Sequence, residues 1–217
     1  MNNIESIHHN SCFNQLVQPI PQKHSIVDTD FYIHKKGLLF HADGYAHPKN
    51  SVLGNPHYIP DENGDKNIFG QPYRKTFFYP GTNEPIPYKD RPQILHSIDP
   101  SLDQFNSNPW PFQYEQILPI SDFIGYISGQ MVFEKSRKGL LGDNSKVLKD
   151  LEDLGQRLDI NIESVPLAFT GTLAFGNIAQ YHDLDLVFCG SLSQNRNIAD
   201  KIRQLVISEP SRRLHEG

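Results

Sequence analysis

The sequence predicts an α+β fold: a mixed sheet with flanking helices, preceded by a small antiparallel β-rich unit. Three observations carry this. Short aromatic-rich runs between Asp28 and Tyr79 are separated by turn residues. Leucines recur at helical spacing from Ser145 to Leu158. Two strand-like apolar runs, 167–170 and 184–188, follow that helix and precede a closing amphipathic segment. The chain has 217 residues, enough to bury a core without disulfides or a structural metal.

Composition narrows the classes further. Net charge is -5, so a basic sleeve for extended DNA is not expected. The two cysteines, Cys12 and Cys189, lie far apart and suit a reducing, cytoplasmic setting. No run approaches the roughly 20 apolar residues that span a bilayer, and the first residues do not read as a secretion signal.

Residues 1–27 are polar, carry Pro19 and Pro21, and read as a poorly packed arm. Residues 28–79 form the β-rich unit. Within it Phe31-Tyr32-Ile33 and Leu38-Leu39-Phe40 flank His34-Lys35-Lys36-Gly37, a hairpin pattern with glycine at the left-handed position. Asp43-Gly44 and Asn63-Gly64 mark further turns. Eight prolines from Pro80 to Pro119 suggest a connecting wrap over 80–119, with Trp110, Phe112 and Tyr114 as its anchor.

The second part spans 120–217. Asn144 or Ser145 is the expected cap of a helix whose Val147, Leu148, Leu151, Leu154 and Leu158 face a core. Ile198, Ile202, Leu205 and Val206 give the closing segment its apolar face.

Chemistry concentrates in one constellation. Phe169-Thr170-Gly171-Thr172 is followed, ten residues later, by Asp183-Leu184-Asp185-Leu186. Residues two apart in a strand share a face, so Asp183 and Asp185 should project together while Leu184 and Leu186 turn to the core. Two adjacent carboxylates repel unless a cation lies between them, and oxygen ligands suit Mg²⁺ or Mn²⁺. Gly171 would let phosphate approach backbone N–H groups, and Thr172 would add a hydroxyl at a helix start.

Alternatives are poorer. There is no G-x-S-x-G elbow and no Walker A run. The ten histidines lack the cysteine partners and spacing of a zinc site. His182 reads as a half-exposed histidine at a strand end and Cys189 as a core thiol. Lys35, Lys36, Arg74 and Lys75 read as a solvated surface more than a phosphate patch.

These residues resemble the signature of the DNA polymerase β-like nucleotidyltransferase superfamily: an apolar residue, Gly, Gly or Ser, a spacer, then Asp-x-Asp in an apolar strand. The stretch 165–190 is similar to the minimal stand-alone prokaryotic members. Lys35-Lys36-Gly37-Leu38-Leu39-Phe40, Gly44-Tyr45-Ala46-His47-Pro48, Tyr58-Ile59-Pro60-Asp61 and Gly70-Gln71-Pro72-Tyr73-Arg74-Lys75 resemble the β region that precedes the core in such predicted enzymes. The resemblance implies metal-dependent nucleotidyl transfer from a nucleoside triphosphate to a hydroxyl of a small molecule, a protein or an RNA end. Asp183 and Asp185 would be catalytic and bind Mg²⁺ or Mn²⁺, and Gly171 and Thr172 would hold phosphates. An inactive core that binds a nucleotide or a protein partner is the rival expectation. Thr172 departs from the usual Gly or Ser, and His182 from a small polar residue. Family members use a third carboxylate, for which this chain offers Asp200, Glu209 and Glu216.

Overall fold

The computed structural model describes residues 9–79, 116–179 and 181–209, with 82, 84–87, 90, 93, 96 and 100 between them. Most of the proline-rich wrap, Trp110, Phe112, Tyr114 and Glu216 lie outside the described residues. The fold is mixed α+β, and the chain divides into two units, 1–129 and 130–217.

The first unit is built on an antiparallel sheet. Its strands are β1 (Phe31–His34), β2 (Leu39–Ala42), β3 (Ser51–Pro60), β4 (Lys66–Ile68), β5 (Gln71–Lys75), β6 (Gln116–Pro119) and β7 (Phe123–Ile127). They run in the order β4-β5-β3-β2-β1-β7, with β6 also pairing β3. The expected hairpin is there: Phe31 pairs with His41 and Ile33 with Leu39, around Gly37 at φ +83°. Tyr32, Phe40, Val52, Ile59, Leu118 and Phe123 gather into one buried cluster on this sheet.

Two features of this unit differ from the sequence reading. The described part of the arm, from residue 9, is packed: helix α1 (Ser11–Leu16) starts at Asn10, whose Oδ1 accepts from the N–H groups of Cys12 and Phe13. Leu16 is fully buried, and Gln18 exchanges two 2.9 Å backbone hydrogen bonds with Tyr126 of β7. Its apolar residues, Phe13 and Leu16, are few but aimed inward, which overall polarity conceals. The sheet also continues past the wrap. β6 and β7 pair with β3 and β1, so the first unit extends to Gly129 and not to Tyr79.

In the second unit, α2 (Gly129–Arg137) and α3 (Ser145–Leu158) precede β8 (Leu167–Phe169) and β9 (Leu186–Phe188), and α4 (Leu192–Ser208) closes it. β8 and β9 form an antiparallel pair, Leu167 opposite Phe188 and Phe169 opposite Leu186. Phe133 of α2 meets Phe169 of β8 edge to face at 5.2 Å. The helix at Ser145–Leu158 forms over the expected range, but its buried stripe is Val147, Leu151, Gly155 and Leu158. Leu148 is 42% exposed. Asn144 makes no side-chain cap bond: its Nδ2 donates backward to the carbonyls of Ser136 and Arg137, and the Asp143 carboxylate takes the Ser145 N–H. On α4 a Ser191–Gln194 capping box sets the start, and Ile198 is buried while Ile202 and Val206 are exposed.

Candidate functional site at the Gly171 turn

All three residues of β8 are buried, so the chain leaves the core at Thr170, in extended conformation. Gly171 then turns at φ +60° and opens a 3-10 turn, Gly171–Phe175, that puts Leu173, Ala174 and Phe175 back into the interior. Gly176, at φ +77°, ends it. A polar apex between two apolar segments is therefore held in place from both sides.

The second strand brings a carboxylate to that apex. The Thr170 N–H donates to the Asp185 carbonyl at 3.1 Å, continuing the ladder one step past Phe169–Leu186. The Asp185 side chain then lies over Gly171: a Cβ built there would be 2.2 Å from Oδ2 and 3.2 Å from Cγ. No side chain at 171 leaves room for the carboxylate where it stands. Gly171 and Thr172 are half-buried and Asp185 is exposed to solvent.

Asp183 takes a different position from the one strand periodicity assigns it. β9 begins only at Leu186, so Asp183 sits in the preceding bend, exposed, and not on a strand face shared with Asp185. Leu184 and Leu186 are half-buried. The reason is the shortness of the pair: a three-residue β8 has no partner left for 183 once Thr170 has paired with 185.

The bend is held at its other end by Tyr181, which sequence reasoning missed. This 5% exposed tyrosine donates its hydroxyl to Asp150 Oδ2 of α3 at 2.5 Å. Lys146 Nζ lies 3.4 Å from the ring centroid and 3.0 Å from the same Oδ2. The Tyr181 hydroxyl bond, then Lys146, hold the Asp150 carboxyl below its ordinary range. The signal was present in an i, i+4 Lys–Asp pair on the helix and an aromatic hydroxyl two residues before Asp183. His182 and Asp183 thus lie between two anchored points, Tyr181 and Asp185.

Asp200 pairs with Arg203 at 3.6 Å, and Glu209 with Arg157 at 3.0 Å. Among the described residues no group of three or more His, Cys, Asp or Glu side chains is placed to hold a metal ion. Cys189 is exposed and not a core thiol, since it follows the last residue of β9. In the first unit Lys35 pairs with Asp122 and Arg74 with Asp61, so two of the four basic residues there are already paired with carboxylates. Among the described residues no helix is long and apolar enough to cross a membrane.

Comparison with protein-family models, curated proteins and solved structures finds no match for this chain.

Proposed function

We propose that this protein carries out metal-dependent nucleotidyl transfer from a nucleoside triphosphate to a hydroxyl acceptor, through a nucleotidyltransferase-type arrangement of the second unit. The observation that carries the reading is the approach of the Asp185 carboxylate to the bare α-carbon of Gly171. A glycine turn and an exposed carboxylate in contact, with Asp183 two residues upstream, suit a phosphate-rich ligand with a hard divalent cation.

The residues present fit such a cation through their donor set: exposed carboxylate oxygens beside a turn that admits no side chain. Asp183 and Asp185 would hold Mg²⁺ or Mn²⁺, which when bound would neutralise charge on the triphosphate. The Gly171 and Thr172 amides and the Thr172 hydroxyl would orient the β- and γ-phosphates. The acceptor oxygen would then bond to the α-phosphorus as the bond to the bridging oxygen breaks, and pyrophosphate would leave. Positioning and charge account for most of such catalysis, so few side chains are required. The acceptor class is a small molecule, a protein or an RNA end.

A second reading, a core that binds a nucleotide or a protein partner without catalysis, is favoured by the ion pairs of Asp200 and Glu209, which occupy two candidate third carboxylates. A screen of the four nucleoside triphosphates for Mg²⁺-dependent binding tests the shared part, with the Asp183→Asn/Asp185→Asn double variant as control. Pyrophosphate release then separates the two readings.

A further inference from the structure

Unit 1 contains a cavity of about 770 Å³ that the reading above does not use. Its floor is apolar: Ile20, Ile26 and Ile120 pack against the buried cluster of the sheet, and Phe123 belongs to it. Pro19, Pro21 and Pro48 stiffen the walls. Tyr45, 74% exposed, and Lys49 stand at the rim, both from the Gly44-Tyr45-Ala46-His47-Pro48 turn and the residue after it.

Charge selects the ligand. Lys49 is the one formally charged residue among the described residues that line the cavity, and no Asp or Glu lines it, on a chain whose net charge is -5. Among the described residues Lys49 makes no ion pair. The two lining histidines add no charge near neutrality. His47 accepts the Leu53 N–H at Nδ1 and faces the Gly44 carbonyl with Nε2, which fixes a neutral tautomer, and burial pulls its pKa down. His24 bonds the Tyr32 hydroxyl at 2.6 Å and lies 4.2 Å from the Tyr126 ring, and burial lowers its pKa as well. Asp28 and Asp43, behind His47, are engaged by the Gly44 N–H and by His41 and Asn55.

We infer that this cavity is a binding site for a small planar aromatic anion, its ring on the Ile26–Phe123 floor beside Tyr45 and its negative group at Lys49. The volume is in the range of small-molecule sites, which are mostly apolar with few polar groups. A tyrosine at the edge offers a ring face, and an ammonium serves carboxylate and phosphate alike as a point charge. The inference does not depend on the function proposed for the Gly171 turn.

Fluorescence titration of the full chain with 1-anilinonaphthalene-8-sulfonate, an aromatic anion with a planar naphthalene ring, tests it. The wild type should bind one probe saturably, Lys49→Gln about tenfold more weakly, and Lys49→Arg close to wild type, a tenfold loss being the scale of one charged contact. Tyr45→Ala should weaken binding too, and since Lys49 is exposed and makes no ion pair among the described residues, neither Lys49 variant should move the melting temperature. Displacement by adenosine 5′-monophosphate assigns a nucleotide, and displacement by naphthalene-2-carboxylate alone assigns a carboxylate. Non-saturable binding, undiminished affinity in Lys49→Gln or in Tyr45→Ala, or displacement by 2-naphthol as effective as by either anion overturns the inference.

Discussion

Asp185 Oδ2 stands where the side chain of residue 171 would begin, 2.2 Å from the Cβ position of Gly171. The contact couples the end of β8 to the start of β9 through one glycine at φ +60°. Gly171→Ala should therefore cost roughly 1–3 kcal/mol, from the left-handed backbone and from displacing the carboxylate. Removing that carboxylate should relieve part of the cost. In denaturant melts Gly171→Ala/Asp185→Ala should be less destabilised than the sum of its single variants; strict additivity would mean the two residues do not touch.

Tyr181 fixes the bend carrying Asp183 by its hydroxyl bond to Asp150. Tyr181→Phe keeps the buried ring and removes only the bond, so the fold should survive with a loss of about 1 kcal/mol. Asp150→Asn should have a similar effect, and the double variant should add little. Full additivity in thermal melts would show that the hydroxyl and carboxylate act separately.

On α3, Leu151 is 4% exposed and Leu148 42%. Leu151→Ala should cost about 2–5 kcal/mol and Leu148→Ala well under half of that. Equal losses would place the buried stripe of the helix elsewhere.

These leucines show what the sequence revealed and where it stopped. Helical spacing placed the helix at Ser145–Leu158, but Leu148 and Leu151 satisfy an apolar face equally well, and only packing decides which is inside. The Gly37 hairpin was legible because its turn chemistry is local. The Phe69-Gly70 turn was not: Phe69 takes φ +54°, against its own preference, while its ring packs edge to face on Phe13. Such a contact joins residues far apart in the chain. At the site, spacing correctly paired the Gly171 turn with Asp185, because both flank strands that pair. It misplaced Asp183, because a run of alternating residues does not say where a strand begins.

Asp30 gives the first unit a pH dependence. Its carboxyl is pushed up to about 7 by burial, against the Gly129 N–H, the Ser128 hydroxyl and His41. The folded chain thus holds this proton more tightly than the unfolded chain, whose carboxyl titrates near 3.8. Stability from this group is fully present below 3.8 and is lost as pH rises to about 7. Asp30→Asn should flatten that decline, by on the order of 1–4 kcal/mol, in melts recorded from pH 4 to 8. Parallel curves for variant and wild type would show that Asp30 titrates normally.

Mg²⁺-dependent binding of ATP and GTP to wild type, Asp183→Asn and Asp185→Asn, with a melt of each, tests the central claim most directly. Wild type should bind at millimolar Mg²⁺. Both variants should bind at least about tenfold more weakly, and both should stay folded at the assay temperature, since both side chains are exposed and Asn keeps their size. A wild type that binds neither nucleotide with Mg²⁺ or Mn²⁺ would contradict it.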